Sequence, residues 1–91
     1  MHFALFYDYV PDALEKRAPH RAAHLALAKE WLAAGKLLLG GAFDPVSDGA
    51  LLVFRAESAA EVEAFVRNDP YVLNGVVARW RVKPWTVVIG G

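Results

Sequence analysis

The sequence predicts an α+β domain whose elements run in the order βαββαβ. Three observations carry that prediction. Four stretches are apolar or alternating over strand-like lengths. Two stretches with helical spacing fall between the first and second strands and between the third and fourth. Glycine, proline and turn clusters separate them. The 91 residues suit a single domain over 1–91, against roughly 100–200 residues per domain.

The first strand is HFALFYDYV, residues 2–10, rich in aromatic and β-branched types. Its faces read Phe3, Leu5, Tyr7, Tyr9 and Ala4, Phe6, Asp8. Pro11 ends it. A helix is expected from Pro19 to Ala34, since proline suits a first helical turn and Gly35 the position past the last. At 100° per residue, His24, Leu25, Leu27, Ala28, Trp31 and Leu32 fill one arc. Arg21 falls inside that arc, and Arg17 joins it if the helical turn extends back past Pro19. KLLLGGAF reads as a strand whose Gly40 and Gly41 permit a bulge or a close backbone approach. DPVSDG, residues 44–49, is a turn, and ALLVFR is the third strand. Ser58 and Glu61 form a capping-box pattern that opens the second helix. Its apolar stripe is Val62, Phe65 and Val66, and Pro70 ends it at Asp69. DPYVLNG then permits one short helical turn with Asp69 as N-cap. In VVARWRVKPWTVVI, Val76, Ala78, Trp80 and Val82 face one way and Arg79, Arg81 and Lys83 the other. Pro84 argues for an edge position, and the tail WTVVI calls for a partner surface.

In this order both helices pack on one face of a four-stranded antiparallel sheet. The second sheet face is also largely apolar, and hydrophobic residues make up 56% of the chain, above the roughly 45–50% usual for soluble domains. A two-fold homodimer is the simplest cover for that face.

Ten basic and ten acidic residues balance, so no nucleic-acid field is expected. The fourfold sheet also lacks the stacking aromatics of an RNA-binding sheet. The absence of cysteine excludes disulfides and thiolate chemistry. No run approaches the roughly 18 apolar residues of a membrane span, and MHFALFYDYV lacks the features of a signal peptide. A cytoplasmic location is the resulting expectation. His20 and His24 are four apart but have no evident third partner, so no metal site is expected. Gly40-Gly41 lacks the spacing of a phosphate loop.

His24 lies on the inward arc of the first helix and Asp69 at the end of the inward stripe of the second. Polar groups on facing apolar arcs are costly unless paired. A carboxylate bonded to one imidazole nitrogen fixes the tautomer and raises the basicity of the other. The pair is therefore a candidate general base, with Arg21 and Arg17 placed to hold an anion. A purely structural reading stands beside this one: His24 packs near Trp31, Asp69 caps the turn begun by Pro70, and the arginines are solvated.

The segments LEKRAPHRAAHLALAKEWLAAGKLLLGG, NDPYVLNGVV and VKPW resemble the YCII-related (YciI-like) family and span nearly the whole domain in order. The pairing of R-x-x-H-L with a downstream D-P-Y/F-x-x-x-G-V is the specific part. The resemblance implies a ferredoxin-like fold that dimerises through its sheets, as in dimeric α/β barrels. It also implies a pocket around a His–Asp pair, here His24 and Asp69, with Arg21, Gly40 or Gly41, and Tyr71 about it. Family members look like small enzymes of acid–base elimination or isomerisation on aromatic or lactone-like substrates. Two departures stand out: GGAF replaces a common Gly-Pro, and the 44–49 loop is too short for a lid. The expected activity is a lyase, isomerase or dehalogenase step on a small anionic or phenolic compound, without a cofactor. The alternative is a non-catalytic small-molecule-binding or accessory module with the same pocket. A haem or metal monooxygenase would need a coloured or metal-bearing protein.

Overall fold

The computed structural model describes residues 1–90. Strands β1 (His2–Tyr9), β2 (Leu37–Ala42), β3 (Ala50–Arg55) and β4 (Val77–Trp85) form one sheet in the order β2-β3-β1-β4. Every pairing is antiparallel. The helices are α1 (Ala13–Arg17), α2 (Arg21–Ala33), α3 (Ala59–Asn68) and α4 (Pro70–Leu73). This is the expected split βαββαβ layout, with the core between the sheet and the helices.

The β1 alternation settles the two faces. Phe3, Leu5 and Tyr7 are buried in the core with Leu52 and Phe54 of β3 and Val62, Phe65 and Val66 of α3. Those three α3 residues are the stripe expected from its spacing. Trp31 of α2 closes the layer, its ring edge-on to Phe54 at 5.8 Å and to Phe65 at 5.4 Å. Phe54 and Phe65 meet at 5.1 Å. Such tilted aromatic contacts add to the large area these side chains bury.

The β2–β3 turn leaves one backbone position that only glycine fills. Gly49 has φ +104°, and a side chain there would strike the Tyr7 carbonyl. At the other edge, Asp8 pairs with Arg79 but Tyr9 with Val77, so Ala78 is an extra residue. The bulge turns Val77 inward instead of Ala78, while Trp80 and Val82 keep the expected side. Pro84 lies opposite Phe3 on β4, which is an edge strand as expected.

Several boundaries differ from the sequence reading. Helical structure begins at Ala13, and a 3₁₀ turn over Ala18–His20 leads into α2 at Arg21. Pro19 therefore sits inside a continuous helical path, in a turn that needs no amide from it. The inward arc of α2 is narrower than a full wheel implies: Leu27, Ala28 and Trp31 pack on the core, but Leu25 is 37% exposed and Leu32 53% exposed. Ser58 does start α3, yet its side chain makes no capping hydrogen bond, so the box pattern is not formed. β4 ends at Trp85, and the apolar tail leaves Val88 and Ile89 exposed.

The aromatic trio sets a first expectation. Phe65→Ala empties a fully buried site and should destabilise the protein by about 3–5 kcal/mol, read as a lower urea midpoint with an unchanged slope.

Candidate functional site

Asp69 is the one charged side chain buried in the core among the described residues, at 0% exposure. Its position follows from local sequence: Pro70 stops α3 and opens α4, and Asp69 between them is the N-cap of α4. The cap is formed, since the Tyr71 amide donates to Oδ1 at 3.0 Å. The same Oδ1 lies 2.8 Å from Nδ1 of His24, and Oδ2 accepts from the Tyr7 hydroxyl at 2.6 Å. Three donors from β1, α2 and α4 thus surround one carboxylate. The capping role and the His–Asp pairing, set against each other by sequence, occur together on one oxygen.

His24 is held a second way. Its ring stacks on Tyr71 with centroids 3.8 Å apart and planes 5° apart. With Oδ1 accepting, the neutral imidazole donates through Nδ1–H, and the tautomer so assigned leaves Nε2 as the acceptor nitrogen. The side chain is 12% exposed, and that exposed part lies in a cleft.

The cleft measures about 500 Å³ and runs between α2 and the β2 edge of the sheet. It exists because the facing positions are small. Gly40, Ala42 and Ala50 line the sheet side and Ala28 the helix side. Gly40 pairs with Leu52 on the helix-facing side of the sheet, and a Cβ at Gly40 would come 3.1 Å from Leu52 Cγ. All the binding residues expected from sequence, Arg17, Arg21, Gly40, Gly41 and Tyr71, border this cleft with His24. Arg17 does so because α1 and the 3₁₀ turn carry it there. Asp69 does not reach the cleft; it stands behind His24.

Tyr7 is the site residue that sequence reasoning missed. The signal was present: a phenol on the inward face of a central strand needs a buried acceptor, and Asp69 was already on the same side. Burial, then the Asp69 charge and hydrogen bond, hold the Tyr7 hydroxyl well above its ordinary range. Burial likewise pushes Tyr9 up to about 12, reinforced by Tyr71 and opposed by Arg17 and Arg21. Tyr9 meets Tyr71 edge-on at 6.2 Å. The Tyr71 hydroxyl is buried with no hydrogen-bond partner among the described residues. His20 and His24 gain no third side chain to complete a metal-binding group among the described residues.

The raised phenols fix the sign of an alkaline response. Between pH 10 and about 12 the unfolded chain releases phenolic protons that the folded chain keeps, so the folded state binds more protons and loses stability as pH rises. Urea midpoints should hold below pH 10 and fall above it, and Tyr9→Phe should make the fall shallower.

A profile of the YCII-related domain matches residues 1–86. The chain is 31% identical over 97 aligned residues to Protein YciI of Escherichia coli, covering 97% of this chain and 99% of that one. It is 33% identical over 91 residues to "derivative of benzaldehyde biosynthesis cluster protein C" of Emericella nidulans, covering 82% of this chain and 93% of that protein. Among solved structures it superposes with TM-score 0.81 and 33% identity on the 5-chloro-2-hydroxyhydroquinone dehydrochlorinase TftG of Burkholderia phenoliruptrix in complex with 2,5-dihydroxybenzoquinone, covering 94% of each chain. The described residues include no helix long and apolar enough to cross a membrane.

Proposed function

The chain belongs to the YCII-related domain family, and on that premise we propose that it is an acid–base enzyme of dehalogenase or related lyase type. His24 is its base, Asp69 its orienting partner, and Arg21 with Arg17 its anion holders. The substrate is a small anionic or phenolic compound, and the enzyme works as a cytoplasmic homodimer. One observation supports this reading most: an imidazole locked by a buried carboxylate at 2.8 Å borders a cleft that also carries two arginines.

The chemistry follows from the assigned tautomer. The substrate oxyanion lies against Arg21 and Arg17, whose charge favours electron density gathering on that oxygen. The ring carbon that bears chlorine takes a proton from solvent as that oxyanion becomes a keto group, and His24 Nε2 then takes the proton of the ring hydroxyl conjugated with that carbon. The O–H electron pair becomes a C=O bond, the ring double bond shifts onto the chlorine-bearing carbon, and the C–Cl pair leaves with chloride, giving a quinone. The imidazolium, stabilised by Asp69, then returns its proton to water. Proton transfer and anion binding by these side chains suffice for each step. The activity named for TftG, which removes chloride from a chlorinated hydroquinone, belongs to the same reaction class.

Asp69→Asn would keep the shape of the cap but remove the charge that favours the imidazolium. In this respect it resembles the loss of the acid in other His–acid pairs, where turnover falls far more than binding.

The dimer reading draws on the sheet face away from the helices. Ala4 and Val53 are buried there, and Phe6 and Leu51 half-buried. A groove of about 370 Å³ borders Ala4, Phe6, Leu51 and Trp85. The Arg81 guanidinium lies 4.4 Å over the Phe6 ring, keeping charge at the margin of an apolar centre. A second copy would cover this face.

Two measurements test the proposal. A panel of chlorinated hydroquinones and phenols should release chloride with the wild-type protein, and His24→Ala should lower the rate at least about 100-fold, within the range for a lost general base, with an unchanged far-UV spectrum. Binding of the panel without turnover, identical in His24→Ala, would make the protein a ligand-binding module instead. Sedimentation should give twice the 10.0 kDa chain mass, and Phe6→Glu should return it to the single-chain mass.

A further inference from the structure

The His–Asp pair uses one end of the cleft. The remainder is mostly apolar, with Lys29 its one charged side chain, and is wider than that chemistry requires. From Arg21, the cleft-facing line of α2 continues through Leu25 and Ala28 to Leu32, eleven residues or about 16 Å along the axis. Two of these side chains stay open to solvent, Leu25 at 37% and Leu32 at 53%. The core-packing line runs through Leu27 and Trp31, and Ala28 is shared between core and cleft. Leu25 and Leu32 are therefore not needed to hold α2 in place. Opposite it lie Leu37 and Leu38 of β2, giving the far end an apolar wall on both sides.

We propose that the cleft takes an amphiphilic anion, with its charged oxygen atoms at Arg17, Arg21 and His24 and an apolar body lying along Leu25, Ala28 and Leu32 toward Leu37. The inference rests on the functional reading of this site and adds the shape and chemical class of the substrate. The paired cations set the direction, because Arg17 and Arg21 gather with His24 at the helix N-terminal end, whereas the leucine stretch carries only the single exposed Lys29. A volume of about 500 Å³ falls within the 300–1,000 Å³ of sites that enclose drug-sized ligands. The fitting compounds are aromatic carboxylates or phenolates that carry an alkyl or aryl extension across the ring from the anionic group. Small residues on the floor, Gly40 and Ala42 among them, admit the ring, and the leucines receive the extension.

The test uses unreactive probes, so it reads the cleft independently of turnover. Calorimetric titration of the full chain with 4-methyl-, 4-butyl- and 4-hexylbenzoate should give affinity rising about 2–4-fold per added methylene. Leu32→Ser, at a half-exposed position, should flatten the rise between butyl and hexyl while leaving 4-methylbenzoate unchanged. Arg21→Gln should weaken all three by a common factor of about 10 and leave the rise intact. A flat series, no binding at all, or a Leu32→Ser variant whose rise is unaltered would overturn the inference, as would a Leu32→Ser effect on sedimentation in place of binding. Chloride release confined to single-ring substrates together with a flat series would overturn the long-substrate inference alone. A rising series with no turnover of any compound would support it and reject the reaction.

Discussion

Everything at this site depends on a single buried carboxylate. Removing Asp69 from water is tolerable only because three donors replace the solvent: the Tyr7 hydroxyl, the Tyr71 amide and the His24 ring. Those donors belong to the first strand, the short α4 turn and the first long helix. One ionisable group thus ties three separate parts of the chain to a common point. The hydrogen bonds to a charged acceptor are the stronger kind, and Tyr7 stays a donor throughout the physiological range because its hydroxyl is held protonated. The imidazole is fixed on two sides, by the carboxylate in its plane and by the Tyr71 ring against its face. Preorganisation of this sort is what a proton-transfer group requires, since its reach and angle are set before any ligand arrives.

The second organising fact is a contrast along α2. One line of this helix is pressed into the aromatic cluster at Phe54 and Phe65. On the adjacent line Leu25 and Leu32 stand over the open cleft and remain exposed. Filled and hollow halves coexist because opposite Trp31 the core presents large rings, while opposite Arg21 to Ala28 the sheet presents Gly40, Ala42 and Ala50. The core half gives the helix its footing, and the hollow half stays open without loss of that footing.

Most of the architecture was legible from periodicity. The alternation of β1 gave its two faces correctly, and the Val62, Phe65, Val66 stripe gave the buried side of α3. Pro70 after Asp69 marked both the end of one helix and the cap of the next. The pairing of His24 with Asp69 was legible too, because two polar residues on converging apolar lines have few other partners. What the sequence hid has specific causes. Pro19 was read as a helix start, but a 3₁₀ turn accommodates it, so the helical path reaches back to Ala13 and carries Arg17 to the cleft. The β4 bulge at Ala78 reversed two positions that strict alternation assigns, and a bulge of this kind leaves no glycine to announce it. The helical wheel of α2 overstated burial at Leu25 and Leu32, since a wheel counts apolar residues and cannot register that an open cleft separates them from the facing sheet.

The anchoring of Asp69 and the hollowness of the cleft lie on different parts of the chain. The carboxylate and its donors come from β1, α2 and α4, whereas the wall opposite the α2 leucines comes from the β2 edge of the sheet. That strand borders solvent on one side and contributes no donor to the carboxylate. Its residues can therefore change size with little disturbance to the imidazole and its partner. A lineage built on this scaffold has a ready route to new ligands: enlarge or trim the rim strand, and keep the proton-handling apparatus as inherited.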